Sequence, residues 1–142
     1  MRDGLYHSDI YLPAEILTPW LGLRWRILYG THAARAALDD RYGRLRALPT
    51  DLQIEPWMVF EAEVEDGELI KVCVRIGEGF TVEGSEGPVD LSLVLSSSRT
   101  ANGSLFVRTL WLNQRNDKHH TLDASKYVPR EFSQAPKRKV RG

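Results

Sequence analysis

Trp57-Met58-Val59-Phe60-Glu61-Ala62-Glu63-Val64-Glu65-Asp66-Gly67-Glu68-Leu69-Ile70-Lys71-Val72-Cys73-Val74-Arg75-Ile76 is the stretch whose reading decides the fold. Met58, Phe60, Ala62 and Val64 alternate with Val59, Glu61 and Glu63. Ile70, Val72, Val74 and Ile76 alternate with Lys71, Cys73 and Arg75. In an extended chain successive side chains point to opposite faces, so a period of two predicts strands with one face for the core. Asp66-Gly67 between them is a two-residue turn signal, because both residue types tolerate positive φ. The stretch therefore reads as an antiparallel hairpin.

Working outward, Val89, Leu91, Leu93 and Leu95 alternate with Asp90 and Ser92. Asn102-Gly103 then leads into a strand from Leu105 to Asn113. At least four strands are expected. Upstream, Leu23 to Tyr29 alternates apolar with basic residues and reads as a further strand. Gly30 breaks it, and Thr31 stands as a helix cap before His32 to Tyr42, which Gly43 terminates. Ala34, Ala37, Leu38 and Tyr42 would form the apolar stripe of that helix, with His32, Arg35 and Asp39 on its other face. The expected fold class is α+β, an N-terminal helix or helices packed on an antiparallel sheet. Residues 1–130 would form a single domain and residues 131–142 a basic tail.

Alternation also predicts which side chains meet. Lys71, Arg75, Asp90, Thr109, Trp111 and Asn113 are expected across one sheet surface, with the polar loop of residues 114–123 at its edge. Two cations, a hydroxyl, an amide and an indole suit a nucleotide, since cations hold phosphate and an aromatic ring stacks on a base. The plainer reading of the same face is solvated, with Lys71 paired to Glu61 or Glu63.

With 142 residues, 42% of them hydrophobic and 27% charged, the chain can bury one core without staples. No apolar run approaches the ~20 residues that cross a bilayer, and Met1-Arg2-Asp3-Gly4 lacks a signal-peptide pattern, so no membrane partner is expected. A single cysteine, Cys73, leaves no internal disulfide and points to a reducing cytoplasm. The formal net charge of zero hides a polarity. Residues 1–107 carry 10 Lys/Arg against 16 Asp/Glu, whereas residues 108–142 carry 9 against 3. The basic end favours an anionic partner, although Lys137, Arg138, Lys139 and Arg141 supply most of its excess. No phosphate-binding glycine loop, no Gly-x-Ser-x-Gly turn and no helix-turn-helix pattern is present.

The series His32-Ala-x-Arg35, Asp40-Arg41-Tyr42-Gly43, Lys71-x-x-x-Arg75, Thr109-x-Trp111-Leu112-Asn113 and Asp117-x-His119-x-Thr121-Leu122-Asp123 resembles small proteins of actinobacteria, their mobile elements and phages. Their layout is in turn similar to the RelE-like and barnase-like ribonuclease fold of toxin domains. That resemblance implies an RNA-binding protein or a metal-independent endoribonuclease, with no cofactor. Ribonuclease chemistry needs a base for the 2′-hydroxyl, cations for the phosphorane charge and an acid for the leaving oxygen. His119 would be the acid or base, oriented by Asp117 or Asp123, with His32 as a second candidate. Lys71 and Arg75 would hold the phosphate. Arg35, Thr109, Trp111, Asn113, Thr121, Asp123 and Tyr127 would contact the substrate.

Each residue also has a structural reading. His32 can complete a helix start, and Asp117 to Asp123 can be a hydrogen-bonded turn before a short helix near Ala124. Trp111 can be a packing residue. His119 and His120 are adjacent and lack the spacing of a zinc site. The competing function class is a non-catalytic binding protein, encoded by a phage or plasmid, that grips a host protein, or an antitoxin whose acidic surface meets a basic toxin.

Overall fold

The structure is a computed structural model that describes residues 2–97, 103–117 and 123–128. Nine strands and one α-helix are defined among them: β1 (Gly4–His7), β2 (Arg24–Tyr29), α1 (Thr31–Leu38), β3 (Arg44–Ala47), β4 (Asp51–Gln53), β5 (Val59–Glu65), β6 (Glu68–Ile76), β7 (Thr81–Glu83), β8 (Val89–Ser97) and β9 (Ser104–Gln114). Seven strands form one sheet in the order β1-β5-β6-β8-β9-β2-β4, and β3 pairs with β7 in a second, two-stranded sheet. β2 lies parallel to β9, and every other pairing is antiparallel.

This overturns the expectation of helices packed on an antiparallel sheet, and with it a RelE-like or barnase-like layout. The protein is mostly β, its main sheet is mixed, and the single α-helix among the described residues is eight residues long. The physical reason is area: two buried alanines, Ala33 and Ala37, cannot cover seven strands. The rest of the lid is a short 3-10 helix and irregular chain, with Ile16 and Leu17 in the 3-10 helix Ala14–Leu17, Trp20 after it and Ile54 following β4; all four are buried in the core. The helix is also shorter than expected. Its cap is Gly30 rather than Thr31, it ends at Leu38, and Leu38 is exposed. No helix among the described residues is long and apolar enough to cross a membrane.

The central hairpin turns at Asp66 (φ 53°) and Gly67 (φ 75°), both in the left-handed region that a two-residue turn requires. From there the strands of the seven-stranded sheet keep their alternation except at three bulges, and each bulge re-aims a side chain. Glu63 faces Lys71 while Val64 faces Leu69, so Ile70 is the extra residue and Leu69 takes the buried place. Val59 faces Val74 while Glu61 faces Cys73, which leaves Phe60 out of the ladder. Val94 faces Thr109 while Leu95 faces Val107, which makes Arg108 the third. The bulge at Arg108 puts Val107 on the same face as Leu110 and Leu112 and turns Phe106 to the other, the reverse of simple alternation.

One face of the sheet is consequently aliphatic and buried, with Val72, Val74, Leu91, Leu93, Leu95, Val107 and Leu112 at its centre. At such positions truncation to alanine costs about 2–5 kcal/mol. The opposite face carries His7, Glu61, Cys73, Val94 and Thr109 along one cross-strand row and Arg75, Ser92 and Trp111 along the next. β2 covers only the first half of β9; beyond it α1 packs beside the same strand, and the Asp40 carboxylate accepts from the Leu112 amide at 2.9 Å. An otherwise unpaired strand amide is thereby satisfied.

Candidate functional site

The face opposite the core contains two polar assemblies of different character. The first is built on Arg75. Its guanidinium donates to Asp90 Oδ2 at 2.9 Å and to the backbone oxygens of Asp117 (3.0 Å), Gln114 (2.9 Å) and Arg115 (3.3 Å). Arg115 folds back to donate to the other oxygen of Asp90 at 2.9 Å and to the carbonyls of Gly77 and Val89 at 3.1 Å. Asp90 is thus held between two guanidinium groups, and the chain after β9 is tied to β6 and β8. Most donors of Arg75 are already occupied.

The second assembly is a cavity of about 260 Å³ at the β5–β6 side of the same face. Its floor is Glu61, Cys73 and Val94; its walls are the rings of Phe60, Trp111 and Tyr127; Lys71, Lys126 and Asp123 line it as well. Small side chains make the room. Cys73, Val94 and Ser92 occupy the strands between β5 and β9, so Phe60 and Trp111 reach across them to meet at 6.4 Å between ring centres, with planes 76° apart. Edge-to-face contact of this kind is the preferred arrangement of two aromatic quadrupoles. The bulge described above is what turns Phe60 to this side. His7 continues the series, 6.1 Å from Phe60 and 5.3 Å from Tyr127, with steep ring angles of 61° and 72°. Its Nδ1 accepts from the Asp9 amide, which fixes the ring.

Tyr127 arrives from the far end of the described chain. Asp123 caps the short 3-10 turn Ala124–Lys126 by accepting from the Ser125 amide and hydroxyl. The Val128 amide then donates to the Leu5 carbonyl at 2.7 Å, laying this segment beside β1. The Tyr127 hydroxyl is thereby aimed at Glu61 Oε2, to which it donates at 2.6 Å. The Cys73 thiol donates to Glu61 Oε1 at 3.6 Å. Burial, and then the neighbouring Glu61 charge, push the Cys73 thiol up to about 12. Burial and the hydrogen bond to Glu61 likewise raise the Tyr127 phenol. Both donors stay protonated at neutral pH, so Cys73 is no nucleophile there.

The sequence-predicted residues divide among these places. Lys71, Trp111, Asp123 and Tyr127 line the cavity. Lys71 is also paired with Glu63 at 3.3 Å, the solvated-face arrangement weighed from sequence. Arg75 belongs to the other assembly, and Asp117 meets it there through its backbone oxygen alone. Asn113 accepts from the Ser92 hydroxyl at 2.8 Å, and Thr109 stands half-buried in the cross-strand row of Cys73. His32 and Arg35 are exposed on α1, whose buried side joins the opposite, aliphatic layer, and neither lines the cavity. His119 and Thr121 lie outside the described residues, as does the 131–142 tail. Sequence reasoning missed His7, Phe60 and Cys73, and had Glu61 only as a possible ion-pair partner for Lys71. Among the described residues no group of three or more His, Cys, Asp and Glu side chains is placed to hold a metal ion. Comparison with known protein families, curated proteins and solved structures finds no match for this chain.

Proposed function

We propose that this protein acts by binding rather than by cleavage, as a non-catalytic binding protein that takes part of a partner into the cleft between Phe60, Trp111 and Tyr127. One observation carries the reading: Arg75, the cation a ribonuclease would aim at the scissile phosphate, is spent on Asp90 and three backbone carbonyls. Lys71 is shared with Glu63, and a carboxylate stands on the cleft floor, so the face offers little uncompensated positive charge to a phosphodiester. Half-buried Phe60 and Trp111 and a buried Tyr127 beside a polar rim are the composition of a binding hot spot. The sequence motifs resemble those of phage and mobile-element proteins, which fits a small effector that modulates a host protein. A protonated, buried Cys73 is compatible with a reducing cytoplasm.

RNA binding is the second reading. It is favoured by Lys71 and Lys126 standing at the same cavity as Trp111, a cation-and-ring combination that single-stranded RNA uses.

The deciding experiment incubates purified protein with total RNA and a chelator, and in parallel passes host lysate over immobilised wild type and Trp111→Ala. Intact RNA, together with a protein retained by wild type and lost by the variant, is the expected result. Metal-independent fragmentation of the RNA overturns the proposal. Salt-sensitive retention of RNA, weakened in Lys71→Ala, moves it to the second reading.

A further inference from the structure

The cleft has a chemistry of its own that narrows what it accepts. Phe60, Trp111 and Tyr127 line one cavity; the Phe60 and Trp111 rings are inclined at 76° to each other, and the Tyr127 ring at 72° to that of His7, which lines the cavity as well. Such walls turn π faces and ring edges toward the same small space. At its floor stands Glu61, whose two oxygens accept from Tyr127 and Cys73, neutral donors that orient the carboxylate without cancelling its charge. The lining carries two lysines, Lys71 and Lys126, and two carboxylates, Glu61 and Asp123, while Glu63 pairs with Lys71 from beside it, so the formal charge gathered at the cleft is negative by one.

We infer that the cleft is an aromatic cage for a compact organic ammonium group, presented by the partner or free in solution, with Phe60, Trp111 and Tyr127 supplying cation–π contacts and Glu61 the counter-charge. The inference rests on the cleft being the binding site. Ring faces attract cations through the quadrupole, most strongly for tryptophan and most effectively where water is excluded. A carboxylate has about four acceptor positions, so Glu61 keeps capacity for a further donor beyond the phenol and the thiol. An anion would meet Glu61 head-on and is disfavoured. The volume of about 260 Å³ accommodates a trimethylammonium or a lysine-like head and excludes a folded element.

The test compares choline with 3,3-dimethylbutan-1-ol, its uncharged isostere, by calorimetric titration and by chemical-shift perturbation on the full chain. Ethylammonium serves as the primary-amine probe, and acetate and inorganic phosphate as anionic probes. The expected result is that choline or ethylammonium binds at least about tenfold tighter than the neutral isostere, with perturbations centred on Phe60, Trp111 and Tyr127. Glu61→Gln should weaken the cation at least about fivefold, and Trp111→Leu should remove most of it. Thermal unfolding of each variant checks that it is folded. Should either variant fail to fold, Phe60→Leu at the cavity wall takes its place. Preference for primary over quaternary amine identifies a lysine-like group, and the reverse a methylated one.

Equal binding of choline and its isostere, tighter binding of the anions, or no binding of any cation overturns the inference. The two proposals fail separately. If Trp111→Ala still releases the lysate partner while no ammonium binds, the cleft remains the site and only the cage chemistry falls.

Discussion

Replacing Arg75 by methionine separates a structural cation from a phosphate-binding one. The substitution keeps most of the aliphatic stem and removes the guanidinium with its four hydrogen bonds, one of them an ion pair to Asp90. Hydrogen bonds to charged groups contribute about 1.5–3 kcal/mol each where water is excluded. That sum must be discounted here, because the Arg75 and Asp90 side chains are 26% and 14% exposed and Arg115 continues to neutralise Asp90. The expected loss is about 2–3 kcal/mol. For a chain of this size, at roughly 3 °C per kcal/mol, the melting temperature should fall by roughly 6–9 °C. Differential scanning fluorimetry reads the shift, and urea denaturation gives the free energy. A double-mutant cycle with Asp90→Asn should return a coupling of about 1 kcal/mol or more. A site that holds phosphate gathers cations at a cost to stability, so relieving it would leave melting unchanged or raised. An Arg75→Met protein melting within about 2 °C of wild type would refute the assignment.

Other outcomes follow from the same geometry. The Cys73 thiol ordinarily titrates near 9.0 and is pushed up to about 12 in the fold, so the folded chain holds a proton that the unfolded chain releases. Stability from this source is complete below pH 9 and is lost as pH rises toward 12; Cys73→Ala should flatten that alkaline decline in urea denaturation at pH 8 and 10.5. Asp40→Ala strands the Leu112 amide and also loses an acceptor for the Tyr42 amide, at a cost of about 1–3 kcal/mol, with faster amide exchange at Leu112 as the local signature.

How far the sequence carried the fold can be judged strand by strand. β5, β6, β8 and β9 were readable because each runs for at least seven residues with apolar positions in period two. β2 was readable too, from the apolar-basic alternation of Leu23 to Tyr29. β1, β3, β4 and β7 have three or four residues, too few for alternation to stand out from chance; β1 and β4 extend the five expected strands to a seven-stranded sheet, and β3 and β7 add a side pair. A trace of the cavity was also present. Counting back from the Asp66-Gly67 turn sets Glu63 opposite Ile70 and Glu61 opposite Val72, polar against apolar on a shared face. Only an extra residue removes that conflict, and the bulge at Ile70 supplies it, bringing Glu61 opposite Cys73. The second bulge, which restores the register and delivers Phe60 to the cleft, leaves no such mismatch to notice. His7 and Tyr127 come from segments docked at the sheet edge, a long-range event that no local pattern encodes.

The parallel seam between β2 and β9 joins residues 26–29 to residues 104–107. During synthesis β2 and its partner β4 have no further sheet to join until the last long strand has left the ribosome, and Leu5, already paired through β1 with β5, waits longer still for Val128. Contacts of such separation slow folding, because a long loop must close before any pairing rewards it. The exposed edge of β9 is then open to capture by another chain, which makes elongation past residue 114 the vulnerable interval in the birth of this protein.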